Sequence, residues 1–257
     1  MNFSLRVFSN QPTNQPTNLF ALITIFTLIL AAPAQANTRD GLVGWWKMDE
    51  GTGTTTVDSS GQGNTGTLTG ANGLPVWTAG CKRSGCLTFD GVDDYITTSF
   101  SLNPSTSNFT ASVWVYLNAA AASKSIIQQL NGVGTGRTWL GINSGSLQFG
   151  SFLGGTDTLT GTVPNAGQWY HLAITNSSGT LTIYLNGVSV VSAARTIESS
   201  TGVLEFATSK GHTNFLSGLL DDVRIYNRAL TTQEINDLYV SGIKLNNCKL
   251  KNAKLNF

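Results

Sequence analysis

The sequence predicts an all-β fold: a two-sheet antiparallel sandwich with one short C-terminal helix. Three observations carry this. Apolar residues alternate with polar ones at period two through most of residues 40–230, the spacing of half-buried strands. Turn signals separate the runs at Asp90-Gly91, Asn131-Gly132, Asn143-Ser144-Gly145, Ser178-Gly179 and Asn186-Gly187. With 28 glycines and only 11% charged residues, the composition suits many short strands joined by turns. No helical pattern intervenes between the strands, which argues against a parallel α/β sheet.

Residues 1–36 stand apart from this pattern. Leu19–Leu30 is almost wholly apolar, and Ala34 and Ala36 form a small-residue A-x-A site. Together they predict an export signal cut before Asn37, with an uncleaved anchor as the alternative. The apolar run is shorter than the about 20 residues needed to span a bilayer. No other stretch is long enough to do so, and no membrane span is expected in the mature chain. The signal carries Arg6, so its removal leaves 14 basic against 14 acidic residues. A neutral chain lacks the basic face that a nucleic-acid partner demands.

Residues 37–243 read as one domain, with no long linker inside it. Cys81 and Cys86 flank the turn-like Lys82-Arg83-Ser84-Gly85. In an oxidising compartment this spacing predicts a bridge; two free thiols are the alternative, and metal ligation lacks further ligands nearby. Both features predict a secreted, periplasmic or cell-surface location. Strand patterns then follow at Phe109–Leu117 (Phe109, Ala111, Val113, Val115 and Leu117 on one face), at Tyr170, Leu172 and Ile174, at Leu181, Ile183 and Leu185, and at Leu219, Val223 and Ile225. Gly91 and Gly187 are expected to supply positive φ at hairpins. Asp58 and Asn64 are expected in Asx turns, Asp93 and Asp94 in a solvated turn, and His171 in a structural role within its strand.

The helix is predicted by Thr231-Thr232-Gln233-Glu234, a capping box with Thr231 as N-cap and Glu234 reaching back. Ile235, Leu238 and Tyr239 form its apolar stripe, and Gly242 is expected to end it. Residues 244–257 form a basic tail with Lys244, Lys249, Lys251 and Lys254 and no acid, in which Cys248 is left over.

Five ordered blocks carry a family resemblance. Gly44-Trp45-Trp46-Lys47-Met48-Asp49-Glu50-Gly51 with Asp58–Asn64 resembles the opening of bacterial laminin-G-like, concanavalin-A-like jelly rolls. Leu87–Ile96 is similar to that family's strongest signature. Gln168–Ala173 and Leu181–Gly187 resemble its central hairpin, and Gly218–Leu230 its last strand with the turn into the helix. The resemblance covers residues 41–242 and implies two packed sheets with loops at the rim.

It also implies calcium, because hard oxygen ligands suit that ion. The rim loops depart from the family pattern: Asn131–Thr138 has no acid, and Ser209–Asn214 offers a lysine. A structural calcium on the other side, as in related glucanases, would use Asp221 with backbone oxygens near the N-terminus, and Asp49 and Asp90 as neighbours. That is the one cofactor expected.

Catalysis has little support in the chain. Glycoside hydrolysis generally needs two carboxylates at a set separation. The four glutamates, Glu50, Glu198, Glu205 and Glu234, do not form the E-x-D-x-x-E pattern that the resemblance would require. The expectation is therefore a non-enzymatic binding module for a polysaccharide or glycoprotein, the alternative being an adhesion or scaffold domain that binds another surface protein. Trp114, Tyr116, Trp139 and Tyr184 fall on the polar parity of their strands, where aromatic planes suit sugar rings. Arg137, Trp139, His212 and Asn214 are the expected ligand residues.

Overall fold

The structure is a computed structural model that describes residues 38–119, 124–130, 136–143, 146–148, 165–197, 199–209, 212 and 214–243. Residues 1–36, expected to be an export signal, and the basic tail 244–257 lie outside these residues. The described part is mostly β, two antiparallel sheets and one helix. The first sheet runs β13 (Val188–Ala194), β12 (Thr180–Leu185), β11 (Trp169–Ser177), β7 (Phe109–Leu117), β15 (Ser217–Tyr226), β5 (Gly85–Asp90) and β4 (Val76–Ala79), with β1 (Leu42–Trp46) also paired to β15. The second runs β10 (Ser146–Gln148), β9 (Gly136–Asn143), β8 (Lys124–Leu130), β14 (Leu204–Phe206), β6 (Tyr95–Thr98), β3 (Gly66–Thr69) and β2 (Thr55–Thr56).

The core lies between the sheets and follows the predicted parity. Phe109, Ala111, Val113, Val115 and Leu117 of β7 are all buried, as are Leu172 and Ile174 of β11 and Ile183 of β12. They meet Ile96, Ile127, Leu140, Leu204 and Phe206 of the second sheet in one apolar cluster. Trp46 is fully buried against Phe206 at 5.0 Å, and its indole N–H donates to the Asn64 carbonyl at 2.6 Å. That bond and the Asp58 carboxylate, which accepts from the amides of Trp45, Ser60 and Asn64, tie the 58–64 loop to β1. The expected hairpin glycines have positive φ, 85° at Gly91 and 81° at Gly187.

The helix α1 spans Thr232–Gly242 and carries the predicted capping box at Thr231 and Glu234. Ile235 and Leu238 are buried beside Ala173, Tyr184, Tyr226 and Leu230, so α1 covers the outer face of the first sheet. Trp114 and Tyr184 stand on that face and are buried. They pack beneath the helix instead of presenting flat surfaces to a ligand.

Candidate functional site

Strand pairing in the second sheet brings five polar residues into one transverse row: Thr67, Thr97, Glu205, Gln128 and Thr138. Glu205 lies between the core residues Leu204 and Phe206, so strand alternation turns its side chain to the outer face. It is nevertheless only 2% exposed. Gln128 Nε2 donates to one carboxylate oxygen at 2.7 Å, and the Thr97 hydroxyl approaches the other at 3.4 Å. His212 Nε2 lies 3.3 Å from that second oxygen. The His212 ring stacks on Tyr95 at 4.3 Å, with 26° between the planes. Among the described residues, the buried Gln128 side-chain oxygen has no hydrogen-bond partner. The site therefore combines a flat aromatic pair with hydroxyl, amide and carboxylate groups. Burial, followed by the charge of Glu205, raises the Tyr95 phenol, which stays a neutral hydrogen-bonding group.

Of the expected ligand residues, His212 belongs to this site, and Asn214 is exposed two positions further on. Trp139 does not belong to it. Its side chain is fully buried against Phe109, 4.4 Å between rings. The expectation rested on unbroken alternation along β9. The β8–β9 register instead passes from Ile127↔Leu140 to Gln128↔Thr138, and this bulge turns Trp139 inward. Arg137 opposes Gln129 in β9, and its side chain lies outside the described residues. Glu205, Gln128, Thr97 and Tyr95 were not expected. A lone acid at the polar parity of a short apolar strand was the signal available for Glu205.

A second polar cluster lies on the outer face of the first sheet, where Asp221, Trp114 and His171 stand in one register row. Cys81 and Cys86 form the expected disulfide, S–S 2.04 Å. Its loop lies over this row. Lys82 Nζ sits 4.4 Å from the Trp114 ring centroid, and the Arg83 amide donates to Asp221 at 2.8 Å. Arg83 also pairs with Asp222 at 2.6 Å and donates to Ser241 on α1 at 2.7 Å. Asp222 in turn accepts from the Trp45 indole at 2.6 Å and from Arg224 at 3.1 Å. Burial pushes the Asp221 carboxyl up to about 7 and the His171 imidazole down to about 3. His171 is thus a neutral packing residue, as expected.

The three acids expected to hold calcium do not assemble. Asp49 approaches this loop and accepts from the Gly85 amide at 2.8 Å. Asp90 pairs with Ser217, four residues from Asp221, which sets it roughly 13 Å away at about 3.3 Å per residue. There it accepts from Val92 and stands beside Asp93 and Asp94. Among the described residues one buried Asp221 oxygen has no hydrogen-bond partner, but the Lys82 ammonium is drawn to the same carboxyl group. Calcium takes six to eight oxygens. Among the described residues, Asp49, Asp90 and Asp221 are not gathered about one point, so these three side chains together do not fit a calcium cage.

Residues 90–236 match the family described as the concanavalin A-like lectin/glucanases superfamily. The chain belongs to this family. No curated protein matches it. Among solved structures, domain 4 of AbnA, a GH43 extracellular arabinanase of Geobacillus stearothermophilus in complex with arabinotriose, is similar at 22% identity and TM-score 0.60, over 77% of this chain and 98% of that one. Trypanosoma rangeli sialidase in complex with sialic acid is similar at 17% identity and TM-score 0.61, over 79% of this chain. A structure of botulinum neurotoxin type C, described as dependent on two ganglioside molecules for cell entry, is similar at 18% and 0.61, over 80%. The chain spans a third of the sialidase and about half of the toxin structure. At these identities the likeness to the solved structures shows the fold alone.

Proposed function

We propose that this lectin/glucanase-family domain is an extracellular carbohydrate-binding module that takes a polysaccharide or glycoprotein glycan on the outer face of the second sheet. The observation that carries this is the Tyr95–His212 stack above the Glu205–Gln128 pair. An aromatic plane receives the C–H face of a sugar ring, while adjacent carboxylate, amide and hydroxyl groups exchange hydrogen bonds with its hydroxyls. The three similar structures support the reading, since their descriptions name arabinotriose, sialic acid and gangliosides. The Cys81–Cys86 bridge supports an oxidising location.

Among the described residues the row holds one carboxylate, Glu205, where glycoside hydrolysis generally uses two. This supports binding without turnover. A glycan array probed with the full chain and with Tyr95→Ala and His212→Ala variants tests the proposal. Binding that falls about tenfold or more in both variants, with unchanged melting temperatures, is expected. Sugar-insensitive capture of a protein partner, with no glycan bound, would overturn it in favour of an adhesion role.

A further inference from the structure

The β4 edge of the first sheet borders a recess of about 290 Å³, separate from the row on the second sheet. Trp77 lines one wall, and Asp49, Thr78 and Ser84 supply polar groups; Gly51, Gly80 and Gly85 leave room between them. Each wall is held before any ligand arrives. The Trp77 indole N–H donates to the Gly53 carbonyl at 2.8 Å, which fixes the ring and draws the 50–54 loop against it. Asp49 is anchored through one oxygen by the Gly85 amide at 2.8 Å. The Thr78 hydroxyl meets that of Thr88 at 2.7 Å. The loop that presents Ser84 is closed by the Cys81–Cys86 bridge and by the Cys81 amide bonding to the Ser84 carbonyl at 3.0 Å.

We infer that this recess is a second saccharide subsite that takes one neutral sugar residue. The inference rests on the carbohydrate-binding reading above. A lone indole with hydroxyls and a carboxylate matches the mixed surface of a sugar ring; an organic cation is generally caged by several aromatic faces. Asp49 repels an acidic sugar, which sets the class as neutral. A pre-positioned wall loses little freedom on binding. With a site on each sheet the chain is bivalent toward a long glycan, and the second contact is made at high effective concentration.

Arabinotriose and cellotriose are the probes, titrated calorimetrically into the full chain, with the Trp77 indole N–H followed by NMR. Two sites are expected for at least one probe. Asp49→Asn with Ser84→Ala, both chosen to keep the fold, should weaken one site about tenfold or more and leave the other. His212→Ala should do the reverse. A single site that is lost in His212→Ala and untouched by the recess variants would overturn the subsite and leave the binding reading standing. Binding lost only in the recess variants would uphold the subsite and remove the second-sheet face. If arabinotriose, cellotriose and the glycan array all fail to bind, both proposals fall.

Discussion

The α-carbon of Gly242 packs against the edge of the Trp114 indole, so that a methyl group there would come within 2.4 Å of Nε1 and 2.6 Å of Cε2. Trp114 has little room to retreat, with Lys82 4.4 Å from its ring centroid and Tyr239 stacked at 5.7 Å. Alanine is worth about 1 kcal/mol over glycine within a helix. Overpacking a filled site costs about 1–3 kcal/mol. The clash wins: Gly242→Ala should lower unfolding free energy by about 1 kcal/mol in urea titration. An unchanged or higher midpoint would mean that Trp114 can shift.

Glu234 joins α1 to the end of the last strand. Its carboxylate accepts from Arg228 at 2.6 and 3.0 Å and from the Thr231 amide at 2.8 Å. The Arg228 hydrogen bonds hold it down at about 2 from its ordinary 4.5. A depressed carboxylate contributes stability that is complete above pH 4.5 and is lost as pH falls through 4.5 toward 2. Glu234→Gln should therefore cost about 2 kcal/mol at pH 7, the scale of a charged hydrogen bond. The gap from wild type should close on acidification, and a constant gap from pH 7 to pH 3 would refute the pairing.

Asp221 behaves oppositely. Burial raises its carboxyl to about 7 from 3.8. The folded protein keeps this proton while the unfolded chain releases it, so its effect is absent below pH 3.8 and increasingly destabilising as pH rises to 7. Asp221→Asn preserves an acceptor for the Arg83 amide. The melting temperature of the variant, relative to wild type, should rise between pH 4 and pH 8. Subtracting wild type removes the opposing slope from His171, whose imidazole resists protonation between pH 6.5 and about 3.

The polar cluster of Asp221, Asp222, Arg83 and Lys82 makes a further prediction about metal. EDTA should leave the thermal midpoint unchanged, and excess calcium should not raise it. An increase of several degrees with calcium would show that Asp49 and Asp221 hold the ion despite Lys82.

The features legible in sequence were those written locally. Alternation in β7, the Asn186-Gly187 turn and the Thr231–Glu234 box each depend on residues a few positions apart, and the structure forms all three. The five motif blocks likewise placed the chain in its family. Trp139 was misplaced because a one-residue bulge inverts facing and leaves no compositional mark. Gly242 is the last residue of the helix, as expected, but its contact with Trp114, 128 residues away in the chain, left no local mark. The Thr97–Glu205 contact spans 108 residues, so only the strand order of the second sheet creates it. His212 was identified by its type; its partners required the topology.

The placement of β15 has a consequence for how the chain matures. This late strand is hydrogen-bonded to β7, β5 and β1, and the Trp45–Asp222 bond joins residues 177 positions apart. The first strand therefore has no neighbour in its sheet until almost the whole domain has been synthesised. High contact order of this kind slows folding, because a large loop must close before any contact rewards it. During vectorial synthesis β4 and β5 can pair locally while β1 waits without a partner in its sheet, and a nascent chain stalled before Ser217 cannot close the first sheet. The order of the strands makes synthesis through β15 a precondition for closing the first sheet.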